Sequence, residues 1–194
     1  MTTKIAVFAS GSGSNFQAIQ EAIENGQLDA QIEIVVTDKP DAYVVKRAEN
    51  FNIPVFSFVA KHYESKAHYE QEIVNILKKH EVKWVILAGY MRLIGNTLLS
   101  AFRNQIVNIH PSLLPSFPGK DAIGQAMEHG VKVTGVTVHF VDEGMDTGPI
   151  LSQAAVEVVV GNRSATEARV HAVEHELYTR TLQKLFKKEI RIVH

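Results

Sequence analysis

The apolar positions change period repeatedly along the chain, and the changes outline alternating strands and helices. Lys4–Ala9 is a short apolar run that meets the turn Gly11-Ser12-Gly13-Ser14-Asn15. Phe16, Ile19, Ala22 and Ile23 then recur at helical spacing, and Gly26 is placed to stop that helix. The β-branched stretch Ile32–Thr37 predicts a second strand. Asp41–Asn50 reads as a helix, Pro54–Phe58 as a strand, and His62–His80 as a long helix turning Tyr69, Ile73, Ile76 and Leu77 to the core. Trp84–Ala88 is apolar throughout, as in a strand covered on both faces. Gln105–Ile109 is the next strand and runs into a proline-rich loop.

Beyond that loop the texture changes. Asp121–His129 has the pattern of a short helix. Lys132–Val141 and Ile150–Val160 are β-rich runs joined by a Gly/Asp loop, which suits antiparallel pairing. A last helix is predicted over Ser164–Lys187 and a last strand over Ile190–Val193. The expected fold is therefore α/β and Rossmann-like: a mostly parallel twisted sheet, helices on both faces, and an antiparallel C-terminal extension. One domain over residues 1–194 is expected, with an N-terminal half of about 1–100 and a C-terminal half of about 101–194. Ligands of such sheets sit beyond the carboxyl ends of the strands, so Gly11–Asn15, Gly89–Leu93 and His110–Gly119 are expected to meet in one cleft.

Composition narrows the chemistry. Hydrophobic residues are 45% of the chain, enough for a sizeable core. Lys+Arg number 20 and Asp+Glu 21, a net charge of −1, so no bulk field draws nucleic acid or an acidic membrane. An anionic ligand must be held by local geometry. The absence of cysteine removes disulfides, thiolate metal sites and a thiol nucleophile. The N-terminal apolar run is too short for a signal peptide or a span, and a cytoplasmic location is expected.

The turn Ser10-Gly-Ser-Gly-Ser-Asn15 lies between a strand and a helix, where free amides and the helix dipole favour a phosphate. No Gly-Lys-Ser/Thr follows, and Phe16 stands where a dinucleotide fingerprint has its third glycine. A monophosphate fits this pattern better than a dinucleotide; a serine-capped turn without ligand is the plain alternative. Asn108 and His110 sit two apart at a strand end and so share a face. An amide beside an imidazole can hold an oxyanion and move a proton, which suits acyl transfer without a serine nucleophile. A hydrogen-bonded strand end without chemistry is equally compatible with that spacing. For Asp146 in Asp-Thr-Gly-Pro, a carboxylate capping a turn is the simpler reading of the residues alone.

Asn108-Ile-His-Pro-Ser-Leu-Leu-Pro115 resembles the signature of the folate-dependent formyltransferases, in particular the branch that formylates glycinamide ribonucleotide in purine biosynthesis. The resemblance spans the chain. It takes in Ser10–Asn15, Leu87–Leu93, Gly135–Asp142 and Asp146–Ile150 in order. It implies transfer of a formyl group from 10-formyltetrahydrofolate to the amine of 5-phosphoribosylglycinamide, without a metal. It assigns Asn108, His110 and Asp146 to catalysis. It assigns Gly13, Ser14, Asn15, Lys66 and Glu174 to the phosphate and ribose. Met91, Arg92, Leu93 and Ile94 fall to the folate, with Asn108 and the loop Val141, Asp142, Glu143, Gly144, Met145 and Asp146. Lys66 stands where the family often carries arginine, keeping the charge but losing the fork. Lys120-Asp121 departs from a histidine-bearing segment of other members.

Four rivals have their own features. His171-Ala-Val-Glu-His175 spells a zinc-binding pattern on a helix but has no evident further ligand. A Rossmann-like module could hold a nucleotide without chemistry. Formyltetrahydrofolate hydrolases share the trio behind a regulatory domain, and methionyl-tRNA formyltransferases add an RNA-binding domain; a chain starting its first strand at Lys4 and ending at His194 is expected to lack both. Small-molecule substrates are expected, with neither nucleic acid nor membrane as partner, in a monomer or homodimer.

Overall fold

The alternation of apolar periods becomes alternating elements in a computed structural model that describes residues 2–190. The chain divides into two compact units, Met1–Val107 and Asn108–His194. The first holds β1 (Thr3–Phe8), α1 (Ser14–Glu24), β2 (Ala30–Thr37), α2 (Tyr43–Asn50), β3 (Val55–Ser57), α3 (Lys66–Lys79), β4 (Trp84–Leu87) and α4 (Asn96–Ala101). Strand β5 (Ile106–His110) carries the chain into the second, which holds α5 (Ala122–Glu128), β6 (Val133–Phe140), β7 (Ile150–Glu157) and α6 (Arg163–Phe186). The strand order is β3-β2-β1-β4-β5-β6-β7. Strand β1 pairs parallel with β2 and β4, and β2 with β3, whereas β6 and β7 pair antiparallel. The protein is thus α/β with an antiparallel C-terminal part, as the patterning predicts.

In the first unit the central strands are buried on both faces, with Ile5, Ala6, Val7, Phe8, Val85 and Ile86 at 0% exposure. Helix α1 lays Phe16, Ile19 and Ala22 inward. Each of its two large side chains contributes about 1.5–3 kcal/mol of burial. In the second unit β6 buries Thr134–Phe140 without a break, and α6 lays Val170, Leu177, Tyr178 and Leu182 inward.

Two elements differ from expectation. The helix predicted from His62 begins at Lys66, because Ser65 caps it by accepting the amide of His68 at 3.2 Å, and residues 60–62 form a separate 3-10 turn. The short helix α4 has no periodic pattern in the sequence. Its start is satisfied from outside, by the buried carboxylate of Glu70 accepting from Gly95 N at 2.7 Å. The strand expected at Ile190–Val193 falls on residues 191–193, outside the described residues.

Candidate active site

In the first unit, β1 ends where the chain must turn sharply into α1. Gly13 makes that turn with φ 75° and is itself the helix N-cap, with no side-chain cap. The plain reading as a serine-capped turn therefore does not hold. A Cβ at Gly13 would lie 2.6 Å from Val44 Cγ2, so only glycine fits. The carbonyls of Gly11 and Ser12 are taken from behind by α2: Val44 N–H donates to the first at 3.1 Å and Arg47 Nε–H to the second at 2.8 Å. Ser14, Asn15 and Phe16 open the helix, where amides lack intrahelical acceptors. Asn15 is buried, and its Oδ1 has no hydrogen-bond partner among the described residues. A buried amide oxygen at a helix start with unmet capacity suits a ligand group that donates a hydrogen bond.

A second feature of this unit joins the same turn to the Met91–Ile94 stretch. Ser10 Oγ–H donates to Asp38 Oδ1 at 2.5 Å and accepts from Met91 N at 2.9 Å. Arg92 Nε–H donates to the Tyr69 hydroxyl at 3.2 Å and lies over that ring, and its Nη1 is 3.8 Å from Asp38 Oδ2. Arg92 is thereby held in the wall of a cavity of about 620 Å³, lined also by Lys61, Lys66, Tyr69, Met91 and Leu93. Met91 and Leu93 are 66% and 56% exposed, so ordinary core packing does not explain them; Ile94 is buried.

In the second unit four polar side chains form one chain of contacts. Asn108 Nδ2–H donates to His139 Nε2 at 3.3 Å. His139 Nε2 is 3.7 Å from Asp146 Oδ1, and Asp146 Oδ2 is 3.5 Å from His110 Nδ1. His110 Nε2–H donates to the Phe117 carbonyl at 2.9 Å. Both nitrogens of His110 thus face acceptors. His139 is the opposite case. Its Nδ1–H donates to the Phe140 carbonyl at 2.8 Å, leaving Nε2 to accept from Asn108. Burial pushes its pKa below the usual histidine value, with the Phe140 bond and the Asp146 carboxylate pulling back. A neutral His139 therefore orients the Asn108 amide and leaves one of its N–H groups unengaged. His139 was not among the residues singled out from sequence. Its only sequence cue is a histidine inside the otherwise apolar stretch Val138–Val141.

Tight turns position these side chains. Asp146 stands at φ 56°, a conformation aspartate tolerates better than most residues, and accepts from Gly119 N at 2.8 Å. Asp142 Oδ1 accepts from Gly144 N at 3.0 Å and Thr147 Oγ1 at 2.7 Å, closing the loop before it. A Cβ at Gly148 would lie 1.8 Å from the Phe140 carbonyl, so that exit admits only glycine. The proline-rich loop after His110, which includes a cis Leu114-Pro115 bond, is tied to β6 by Thr137. That hydroxyl donates to Ser112 O at 2.7 Å and accepts from Leu114 N at 3.1 Å. The departing segment ends at Asp121, which caps α5 and pairs with Arg163 at 2.6 Å.

Val141, Asp142, Glu143, Gly144 and Met145 form the exposed lip of the loop before Asp146. Glu174 is buried on α6, and its Oε2 is 2.8 Å from His171 Nδ1. Two of the three polar residues of the zinc-like pattern, His171 and Glu174, thus pair with one another. Among the described residues no group of three or more His, Cys, Asp or Glu could hold a metal ion. No described helix is long and apolar enough to cross a membrane.

Comparisons with known proteins agree in direction. The formyl transferase family matches residues 3–182. The chain is 55% identical over 183 residues to the phosphoribosylglycinamide formyltransferase of Bacillus subtilis (strain 168), covering 94% of each. Among solved structures, glycinamide ribonucleotide transformylase 1 from Geobacillus kaustophilus superposes with a TM-score of 0.93 at 57% identity, over 95% of this chain and 99% of that one. Its counterpart from Symbiobacterium toebii gives 0.95 at 39% identity, over 100% and 95%.

Proposed function

The chain belongs to the formyl transferase family, and on that premise we propose that it transfers the formyl group of 10-formyltetrahydrofolate to the amine of 5-phosphoribosylglycinamide. The products are the N-formylated ribonucleotide and tetrahydrofolate, a step of purine biosynthesis. The observation that carries this reading is the run of contacts Asn108–His139–Asp146–His110, each 3.3–3.7 Å, around an amide and an imidazole able to serve one carbonyl.

The amine nitrogen attacks the formyl carbon, and the carbonyl electrons move onto oxygen. The free N–H of Asn108 and an N–H of His110 stabilise that oxygen; for His110 Nε2, the substrate oxygen takes over from the Phe117 carbonyl. One preorganised donor of this kind is worth roughly 3–4 kcal/mol in the transition state. The attacking nitrogen loses a proton, the bond to the folate nitrogen breaks, and that nitrogen gains a proton. Asp146, beside His110 and fixed by Gly119, orients the imidazole and the proton carrier.

Gly13, Ser14 and Asn15 are assigned to the phosphate through helix-start amides, and Glu174 to the ribose. Lys66 lines a cavity with Arg92, Met91 and Leu93, so its ammonium is assigned to the carboxylates of the folate tail rather than to the phosphate. Ile94 and the loop Val141–Asp146 complete the folate contacts.

Purified protein given both substrates should yield formylated ribonucleotide and tetrahydrofolate in equal amounts. Formate and tetrahydrofolate released at the same rate without the ribonucleotide would make it a hydrolase and end this reading.

A further inference from the structure

We infer that Arg47 is a positioning residue of the anion-binding turn, one that fixes the Ser12–Gly13 peptide with its N–H toward the ligand. The inference rests on the phosphate reading of that turn and extends it to a residue outside it. A trans peptide is planar, so its C=O and N–H point in opposite directions. Val44 N–H holds the Gly11 carbonyl toward α2, so the Ser12 N–H faces away from α2. Arg47 Nε–H holds the Ser12 carbonyl on the same side at 2.8 Å, so the Gly13 N–H also faces away. Two successive amides then join the free amides at the start of α1, the concave arrangement that binds anions.

The two grips differ in kind. The Val44 grip is backbone and survives any side chain. The Arg47 grip is a side chain reaching 35 residues along the sequence, and it has its own supports. Nη1–H donates to Gln17 Oε1 on α1, and the guanidinium lies over the Tyr43 ring at 4.9 Å from its centre. Arg47 thus ties the turn to the first turns of both α1 and α2. Gly13 at φ 75° can rotate its flanking peptides more freely than any other residue, so the Ser12–Gly13 plane is where such a tie matters. The guanidinium also places a positive charge behind the cradle, and its hydrogen-bond acceptors among the described residues, Ser12 O and Gln17 Oε1, are both uncharged.

The test is Arg47→Met, which keeps the stem and removes the donors, with Arg47→Lys beside it. Each is assayed with the phosphorylated amine substrate and with the riboside lacking the phosphate. Arg47→Met should raise KM for the phosphorylated substrate about tenfold, the scale of one charge-assisted hydrogen bond. Turnover, KM for the folate and kcat/KM for the riboside should stay within about twofold. Arg47→Lys keeps the charge and one donor but cannot grip Ser12 and Gln17 together, so it should recover only part of the loss. An unchanged KM for the phosphorylated substrate in folded Arg47→Met overturns the inference, and so does an equal loss on the riboside. Gly13→Val, which changes the shape of the turn itself, separates the two levels. If it raises the same KM while Arg47→Met does not, only the role of Arg47 falls. If neither variant moves it, the phosphate reading falls as well.

Discussion

The Gly11–Asn15 turn of the first unit and the Asn108–Asp146 cluster of the second present ligand-facing groups of different origin. The turn offers backbone amides, and α2 acts from behind by occupying carbonyls, with the Val44 amide and the Arg47 side chain. The cluster offers side-chain atoms, and the backbone around it acts from behind by fixing rotamers and tautomers: Phe140 O on His139, Phe117 O on His110, Gly119 N on Asp146. Peptide groups do not titrate and cannot be truncated, so the turn should fail only where its shape is changed. The cluster should fail wherever one atom is removed, and its performance should depend on pH. Binding of a fixed charge suits the first design and movement of protons suits the second.

The largest effects should come from truncating the cluster. Asn108→Ala and His110→Ala are each expected to lower kcat at least a hundredfold, the scale of one lost oxyanion donor, with the melting temperature nearly unchanged. Neither variant should move KM for the phosphorylated substrate much, because that contact belongs to the turn. Near-normal turnover in both purified proteins would remove the side-chain cluster from the chemistry and leave the comparison without its second term.

Changing the shape of the turn should have a smaller effect, of the other kind. Gly13→Val drives a Cβ to within 2.6 Å of Val44 Cγ2 at a φ of 75°. A β-branched residue there costs of order 1–3 kcal/mol in backbone strain before any clash. Stability should fall, and KM for the phosphorylated substrate should rise more than tenfold, by the affinity equivalent of that strain. Steady-state kinetics on the fraction that melts cooperatively checks this. An unchanged KM in that fraction would argue that the amides at this turn hold no phosphate.

The contrast also explains what could be read from the residues. A backbone site needs glycine, and Gly11-Ser-Gly-Ser-Asn15 announces itself between a strand and a helix. The apolar runs of β1, β2 and β4 likewise specify a parallel sheet, because strands buried on both faces have no other pattern. The side-chain cluster is harder to see. Asn108 and His110 are visible as a pair through strand alternation, but Asp146 and His139 reach them only through the β6–β7 hairpin, a tertiary fact with no local spacing. The resemblance brought Asp146 in; nothing in periodicity does. His139 lies in a run that reads as core, and it is core, 2% exposed; its role comes from a tautomer set by its own neighbour's carbonyl. Helix α4 stayed hidden for a similar reason, since the carboxylate that caps it lies 25 residues earlier, on α3. Arg47 carries no signal in the sequence, because its target is a carbonyl in another element.

His139 sharpens the comparison at the next scale. If it only fills space, His139→Gln and His139→Leu should behave alike. If it aims Asn108, glutamine can still accept the Asn108 N–H and leucine cannot. His139→Leu should lower kcat about tenfold, the worth of one oriented hydrogen bond, and His139→Gln should lose clearly less. Equal losses in the two variants would return His139 to packing.

The smallest effects are in stability against pH, where two histidines of the second unit should pull in opposite directions. His139 is lowered below its usual value of 6.5, first by burial. The unfolded chain then binds its proton more readily than the folded one, so its contribution is present above about 6.5 and is lost as pH falls toward the lower folded value. His171 is raised above 6.5, first by its hydrogen bond to Glu174. The folded chain binds that proton more readily, so its contribution is present below about 6.5 and is lost as pH rises through the higher folded value. Urea midpoints across this range should show wild-type stability changing little, because the two slopes partly cancel. His171→Gln should leave a stability that falls more steeply on acidification. His139→Gln should leave one that falls on the alkaline side. His171 is half exposed and its pair is screened, so the second slope should be the shallower. If both variants keep the wild-type profile, neither ring is titrating against its folded surroundings. Asn108 could then not owe its orientation to a neutral His139, and the cluster would have to be held without a titrating group, as the turn is.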